Sequence, residues 1–303
     1  MFTWWKKSKQ KPADRDTSQQ KIEQVESESD QSRAPDYEVV VSLQTDPGCQ
    51  RELNEDQIFF HRPDDPALLR KKGLLVLVAD GMGGHSAGEV ASGMAVEIIN
   101  RAYFDDASKP GPALKSALQQ ANSEIHTASL KQEGLRGMGT TCTALVLQNG
   151  SAVAAHVGDS RLYLVRGGQI YLMTEDHSEV MEMVKRGLIS LEEARHHPDK
   201  NVILRAIGSH PEVQVSTWDE PFPTRGGDRF LLCSDGLYDL VEDDEIKRVI
   251  EQSEPAEACE SLIALAKERG GHDNISVAVV SLVPLSESRT KPVPETRELE
   301  AVK

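Results

Sequence analysis

Five apolar, strand-length runs in this chain each carry a carboxylate at one end, and that arrangement limits what the chain can fold into. Glu55 and Asp56 open Gln57–Phe60, Asp80 terminates Leu74–Ala79, and Asp159 follows the run ending at Val157. Asp235 follows Arg229–Cys233, and Asp273 precedes Ile275–Val283. Taken singly, an aspartate beside a glycine is ordinary turn chemistry, since aspartate tolerates unusual dihedrals and bonds to nearby backbone. Taken together, strand ends that converge would set like charges against one another unless cations neutralise them. Oxygen ligands with no partnering cysteine and few nearby histidines favour Mg²⁺ or Mn²⁺ over Zn²⁺. Two such ions would lower the pKa of a shared water and neutralise a phosphoryl group during in-line attack.

The bulk properties leave that reading open and close others. At 303 residues the chain has room for one large domain or two small ones. A net charge of -15 argues against a broad nucleic-acid surface, because phosphate backbones are gripped by Lys and Arg. It also counts against a metal-dependent nuclease, which would share the same two-metal chemistry. Cys49, Cys142, Cys233 and Cys259 lie far apart without a C-x-x-C pair, which suits neither zinc nor a disulfide framework and points to a reducing cytoplasm. No apolar stretch is long enough to span a bilayer, and the N-terminus lacks the features of a signal peptide. Trp4 and Trp5 beside Lys6 and Lys7 could touch a membrane interface or a partner, but a floppy terminus explains them as well.

Composition divides the chain into three. Residues 1–36 and 286–303 are polar, poor in large apolar side chains and expected to be disordered tails. Residues 37–285 form one patterned catalytic domain. Within it Glu38–Thr45, Gln57–Phe60, Leu74–Ala79, Thr140–Leu147, Ala152–Val157, Leu162–Val165, Gln169–Met173, Val213–Trp218, Arg229–Cys233 and Ile275–Val283 read as strands. Asn149-Gly150 and Gly167-Gly168 signal hairpins. Ser86–Phe104, Ala113–Leu130, Ser178–Arg186, a short helix begun by the Ser190/Glu193 capping box, Asp244–Glu251 and Ala256–Arg269 read as helices. This order is α+β with antiparallel sheets, not a βαβ ladder.

Asp80 begins the glycine-rich segment D-G-M-G-G-H-S-A-G-E. No G-K-[ST] follows, so it is no P-loop, and Ser86 breaks the dinucleotide fingerprint. Glycines here would let backbone approach a metal, with the Gly81 carbonyl as a ligand beside Asp80. Arg51, on the loop of Glu55 and Asp56, offers a planar fork for two phosphate oxygens, although alone it could equally be a surface residue or a salt-bridge partner.

In chain order, T-D-x-G-x-x-R-x-x-N-E-D (Thr45–Asp56), D-G-M-G-G-H (Asp80–His85), G-T-T (Gly139–Thr141), V-G-D-S-R (Val157–Arg161), D-H-S (Asp176–Ser178), L-L-C-S-D-G-L (Leu231–Leu237) and G-H-D-N-I-S (Gly271–Ser276) resemble the metal-dependent protein phosphatases, the protein phosphatase 2C family, in their bacterial form. The resemblance implies a four-layer α-β-β-α sandwich of two antiparallel sheets flanked by helices. It implies a serine/threonine phosphatase that hydrolyses phosphoserine and phosphothreonine in proteins by direct attack of a metal-bridging water or hydroxide, with a serine/threonine kinase as partner. Asp80 would bridge two Mn²⁺ or Mg²⁺ ions, the Gly81 carbonyl would bind one, and Asp235 and Asp273 the other. Glu55 and Asp56 would sit at the edge of the coordination shell, and Asp159 with Asp235 would hold a weaker third ion. Arg51 would clamp phosphate and Asn274 would support the Asp273 loop. Residues Asp176 to Gly208 resemble the family's variable flap, with Lys200 where arginine is common. Met82 stands where some members have a histidine acid, and His85 is not equivalent to it. His156, His177 and His272 read as structural. A catalytically dead scaffold of the same fold would usually have lost one of Asp80, Asp235 and Asp273, and all three are present.

Overall fold

The computed structural model describes residues 36–83, 87–218 and 220–285. The two expected tails (apart from Asp36), His85 and the expected helix start at Ser86 lie outside the described residues.

Twelve strands among the described residues fall into two antiparallel sheets. The first has the order β1 (Tyr37–Asp46), β12 (Ile275–Pro284), β11 (Arg229–Cys233), β7 (Arg161–Arg166), β8 (Gln169–Leu172). The second runs β10 (Phe222–Pro223), β6 (Ser151–Val157), β5 (Cys142–Gln148), β3 (Leu74–Met82), β2 (Asp56–His61), with β4 (Gly139–Thr140) on β3 and β9 (Ser216–Thr217) on β6. The helices are α1 (Pro66–Lys72), α2 (Ala87–Asp105), α3 (Pro110–Lys131), α4 (Glu179–Lys185), α5 (Leu191–Arg195), α6 (Asp235–Tyr238), α7 (Asp243–Gln252) and α8 (Pro255–Glu268).

Strand alternation explains the layering. In β3, Leu75 and Leu77 pack against Ile98, Ile99, Leu114 and Leu118 of α2 and α3, whereas Val76 and Val78 face the other sheet. In β12, Val277 and Val279 meet Ile246, Ile250 and Leu262 of α7 and α8, whereas Ala278 and Val280 join the inter-sheet core. Both faces of these strands are covered, so Leu74–Ala79 and Val277–Val280 are unbroken apolar runs even though the sheets are antiparallel. The result is the expected α-β-β-α sandwich.

Local signals act where the sequence places them. Asn149 and Gly150 take φ of 46 and 77, and Gly167 and Gly168 take 59 and 76, the paired positive dihedrals of a two-residue hairpin. Ser190 and Glu193 form their capping box ahead of α5. Three expectations change. The strand expected over Thr140–Leu147 breaks at Thr141, whose N–H donates to the Asp80 carbonyl and whose hydroxyl accepts the Asp80 N–H. Leu74–Ala79 extends to Met82 because Gly81 and Met82 pair with β4. The strand expected at Val213–Trp218 shrinks to β9, which pairs with Ala155 and His156. Helix α1 is an addition: Asp65 caps it, Pro66 starts it and Gly73 ends it.

Register then decides where the acids go. Asp56 faces Asp80, Cys142 faces Val157, Cys233 faces both Arg161 and Val277, and Ile275 faces Asp46. Those pairings bring the ends that carry Asp56, Asp80, Asp159, Asp235 and Asp273 to one edge of the sandwich.

Candidate metal centre

Each acid is delivered by a fixed piece of backbone. Asp80 is pinned by Thr141 on both sides, and its carbonyl also accepts from Thr140 Oγ1 at 2.9 Å. Asp56 is buried, with Oδ2 accepting from Ser234 Oγ at 2.7 Å, and that same hydroxyl accepts the Ser276 N–H at 3.0 Å. Asp235 begins α6, directly after Ser234. Asp159 is buried in the turn after β6. Asp273 accepts the Asn274 N–H at Oδ1 (2.8 Å) and Arg51 Nη2 at Oδ2 (2.7 Å).

Their charges act on one another. Burial raises the Asp80 carboxyl far above the usual carboxylate range, and Asp56, Asp235, Asp159 and Asp273 each push it further. Burial does the same to Asp235, helped by Asp159, Asp239, Asp273 and Asp56. Asp159 is pushed up to about 7 by burial and then by Asp176, and Asp56 to about 6 by burial, against the pull of its serine donors.

The donor set suits a hard cation. Asp56 Oδ1, Asp159 Oδ1 and Asp235 Oδ1 are buried without a hydrogen-bond partner, which is costly for a carboxylate unless something positive meets it. All three are oxygens, as Mn²⁺ and Mg²⁺ prefer. Among the described residues no three Asp, Glu, His or Cys side chains already close round one point, so the acids line a common mouth and not a finished cage.

Arg51 lies at this mouth, half exposed, with its guanidinium turned to Asp273 and its Nε donating to the His272 carbonyl at 3.4 Å. Glu55 is used differently. Its Oε1 accepts the Gly88 N–H at the start of α2 (3.1 Å), and its carbonyl accepts the Gly81 N–H and the Ser92 hydroxyl. Burial raises its carboxyl. Gly81 is glycine for a steric reason the sequence did not suggest: a Cβ there would stand 2.2 Å from the Gly88 carbonyl oxygen. Asn274 is buried, and its side chain reaches the loop ahead of β2 rather than its own.

Ser234, Thr140, Thr141, Arg161 and Asp176 lie within the matching motifs, but nothing in the sequence signals their roles. Arg161 forms a buried two-pronged pair with Asp176 and lies 3.7 Å from the centre of the Tyr238 ring, linking β7, the flap root and α6. His156 and His177 stack 4.7 Å apart, and burial lowers them to about 4 and about 2, so both stay neutral. Burial pushes the Cys142 thiol up to about 12 and that of Cys233 higher still.

A two-sheet sandwich that crowds buried carboxylates at one edge, with an arginine at the rim, defines a metal-dependent hydrolase acting on a phosphate ester. Comparison with known proteins makes the class specific. A profile of the family described as protein phosphatase 2C matches residues 50–268. The serine/threonine phosphatase Stp of Listeria monocytogenes is 39% identical over 246 residues, spanning 78% of this chain and 94% of that one. The crystal structure of the Mycobacterium tuberculosis serine/threonine phosphatase PstP superposes with a TM-score of 0.72 at 37% identity, covering 81% of this chain and 99% of that one. A structure of the PstP catalytic domain in complex with two manganese ions gives 0.68 at 35% identity, covering 81% and 98%. The chain belongs to the protein phosphatase 2C family.

Proposed function

We propose that Asp80, Asp235 and Asp273, with the Gly81 carbonyl, hold the Mn²⁺ or Mg²⁺ pair on which this protein serine/threonine phosphatase depends. Asp159 with Asp235 would hold a third ion, and Asp56 and Glu55 would lie at the edge of the coordination shell. The observation that carries this reading is the set of three buried carboxylate oxygens, on Asp56, Asp159 and Asp235, left without hydrogen-bond partners. When bound, the ions supply Lewis-acid activation of water and charge neutralisation at phosphorus. Thr141 fixes the Asp80 backbone, and Ser234 orients Asp56 by bonding only one of its two oxygens. Arg51, half exposed beside Asp273, grips two phosphate oxygens of the substrate with its planar fork.

Hydrolysis proceeds directly to phosphate, with water and not a protein side chain attacking phosphorus. The substrates are phosphoserine and phosphothreonine proteins, delivered by a serine/threonine kinase in the cytoplasm. No helix among the described residues is long and apolar enough to cross a membrane. Residues 37–285 form the catalytic unit, with the two tails outside it. Asp80→Asn and Asp235→Asn should each abolish Mn²⁺-dependent phosphate release from a phosphothreonine peptide, a loss of at least about a thousandfold. Unchanged turnover in either variant would overturn the assignment, and Mn²⁺ binding without turnover in the unaltered protein would identify a scaffold instead.

A further inference from the structure

We propose that Asn274 is a positioning residue that seats the Arg51 loop on the Asp273 loop, so that the place of the phosphate grip is set by one buried amide. The inference rests on the reading of Arg51 as that grip. Residues 47–55 have no helix or strand, and Cys49, Gln50, Arg51, Glu52 and Leu53 are all exposed. Such a loop has little packing of its own to hold its apex still. Its order comes from across the molecule. Asn274 Oδ1 accepts the Glu55 N–H at 2.8 Å, and Nδ2 donates to the carbonyls of Pro47 (3.1 Å) and Leu53 (2.9 Å). One side chain therefore spends its acceptor and both donors on the two ends of the loop.

Neighbouring restraints come from the same segment: Cys49 N–H donates to the Gly271 carbonyl at 2.6 Å, and Lys267 pairs with Asp46 at 2.8 Å. The main chain of Asn274 holds the acids in turn. Its N–H bonds Asp273 Oδ1, and its carbonyl lies so close to Gly236, beside Asp235, that a Cβ there would be 2.0 Å away. Among the described residues the Arg51 side chain bonds only Asp273 and the His272 carbonyl. Displacing the loop thus moves the guanidinium relative to Asp80, held in β3, and Asp235, held in α6.

Asn274→Asp tests this at nearly constant volume, because it points an oxygen at two carbonyls and removes both donors. The KM for a phosphothreonine peptide and the inhibition constant for inorganic phosphate should both rise roughly tenfold, with kcat changed less. Asn274→Ser, which removes the same bonds without adding a charge, should reproduce the effect if the aspartate variant folds poorly. Added to Arg51→Ala, either change should cost no further affinity for phosphate, since the grip it positions is gone. Mn²⁺ affinity by titration calorimetry should stay within about threefold. Multiplying effects in the double variant, or a fall in Mn²⁺ affinity that accounts for the kinetic loss, would overturn the proposal. An unaltered protein inert toward the phosphopeptide would instead sink the phosphatase reading beneath it.

Discussion

A methyl group at Gly81 would meet the carbonyl oxygens of Gly88 at 2.2 Å and Glu55 at 2.5 Å, both of them main-chain atoms that cannot swing aside. Gly81→Ala must push α2 away from β3 or bend the strand one residue beyond Asp80. Overpacking of this kind costs about 1–3 kcal/mol, which should appear as a lowered urea midpoint at unchanged slope. Retention of the original midpoint would mean that the helix start yields freely. The acids themselves were legible because their signal is local, an apolar run and then a carboxylate. The reason for Gly81 was not, since sequence gives no hint that residue 88 arrives over residue 81. Ser234 was hidden in the same way, for its hydroxyl serves an aspartate 178 positions earlier. Asn274 could be recognised as supportive, but the loop it supports is fixed only by the pairing of β1 with β12 and of β2 with β3.

Elements were legible where their limits are written in their own residues. The Asn149-Gly150 turn and the Ser190 capping box both fall as the sequence indicates. Strand β10 has two residues on the edge of β6, too few for any periodicity to announce, and β9 is the part of the strand expected at Val213–Trp218 that pairs with that same strand. What holds the flap root to the metal edge is equally non-local. Arg161, at the start of β7, gives Asp176 three hydrogen bonds of 2.7–3.1 Å, and their side chains are only 14% and 7% exposed. Arg161→Met should therefore destabilise the protein by about 3–5 kcal/mol, since it leaves the Asp176 charge buried and alone. Pairing it with Asp176→Asn should recover a good part of that loss, measured as a thermal or urea midpoint. Equal instability of the single and double variants would show that the guanidinium matters through its stacking on Tyr238 and not through charge.

At the scale of the whole molecule, the sandwich brings at least five carboxylates from distant segments to one edge of a chain whose net charge is -15. Without cations this edge opposes folding in a pH-dependent way, and the sign follows from the raised carboxyls. Asp159, held at about 7, and Asp80 and Asp235, raised well beyond the usual range, keep protons in the folded state that the unfolded chain has released. A group raised on folding adds stability below its unfolded pKa and loses it as pH climbs through the folded value. The buried His156 and His177, lowered to about 4 and about 2, work the other way, but only below their ordinary value near 6.5. Between about pH 6.5 and 8 the carboxyls dominate as the imidazole contribution fades, with a slope of up to about 1.4 kcal/mol per pH unit for each proton of difference. In chelator the melting temperature should fall across that window. Saturating Mn²⁺ should raise it more at pH 8 than at pH 6.5, because protons and cation compete for the same oxygens. A chelated protein equally stable at both values would mean that these acids do not face one another in solution, and the metal centre would have to be sought elsewhere.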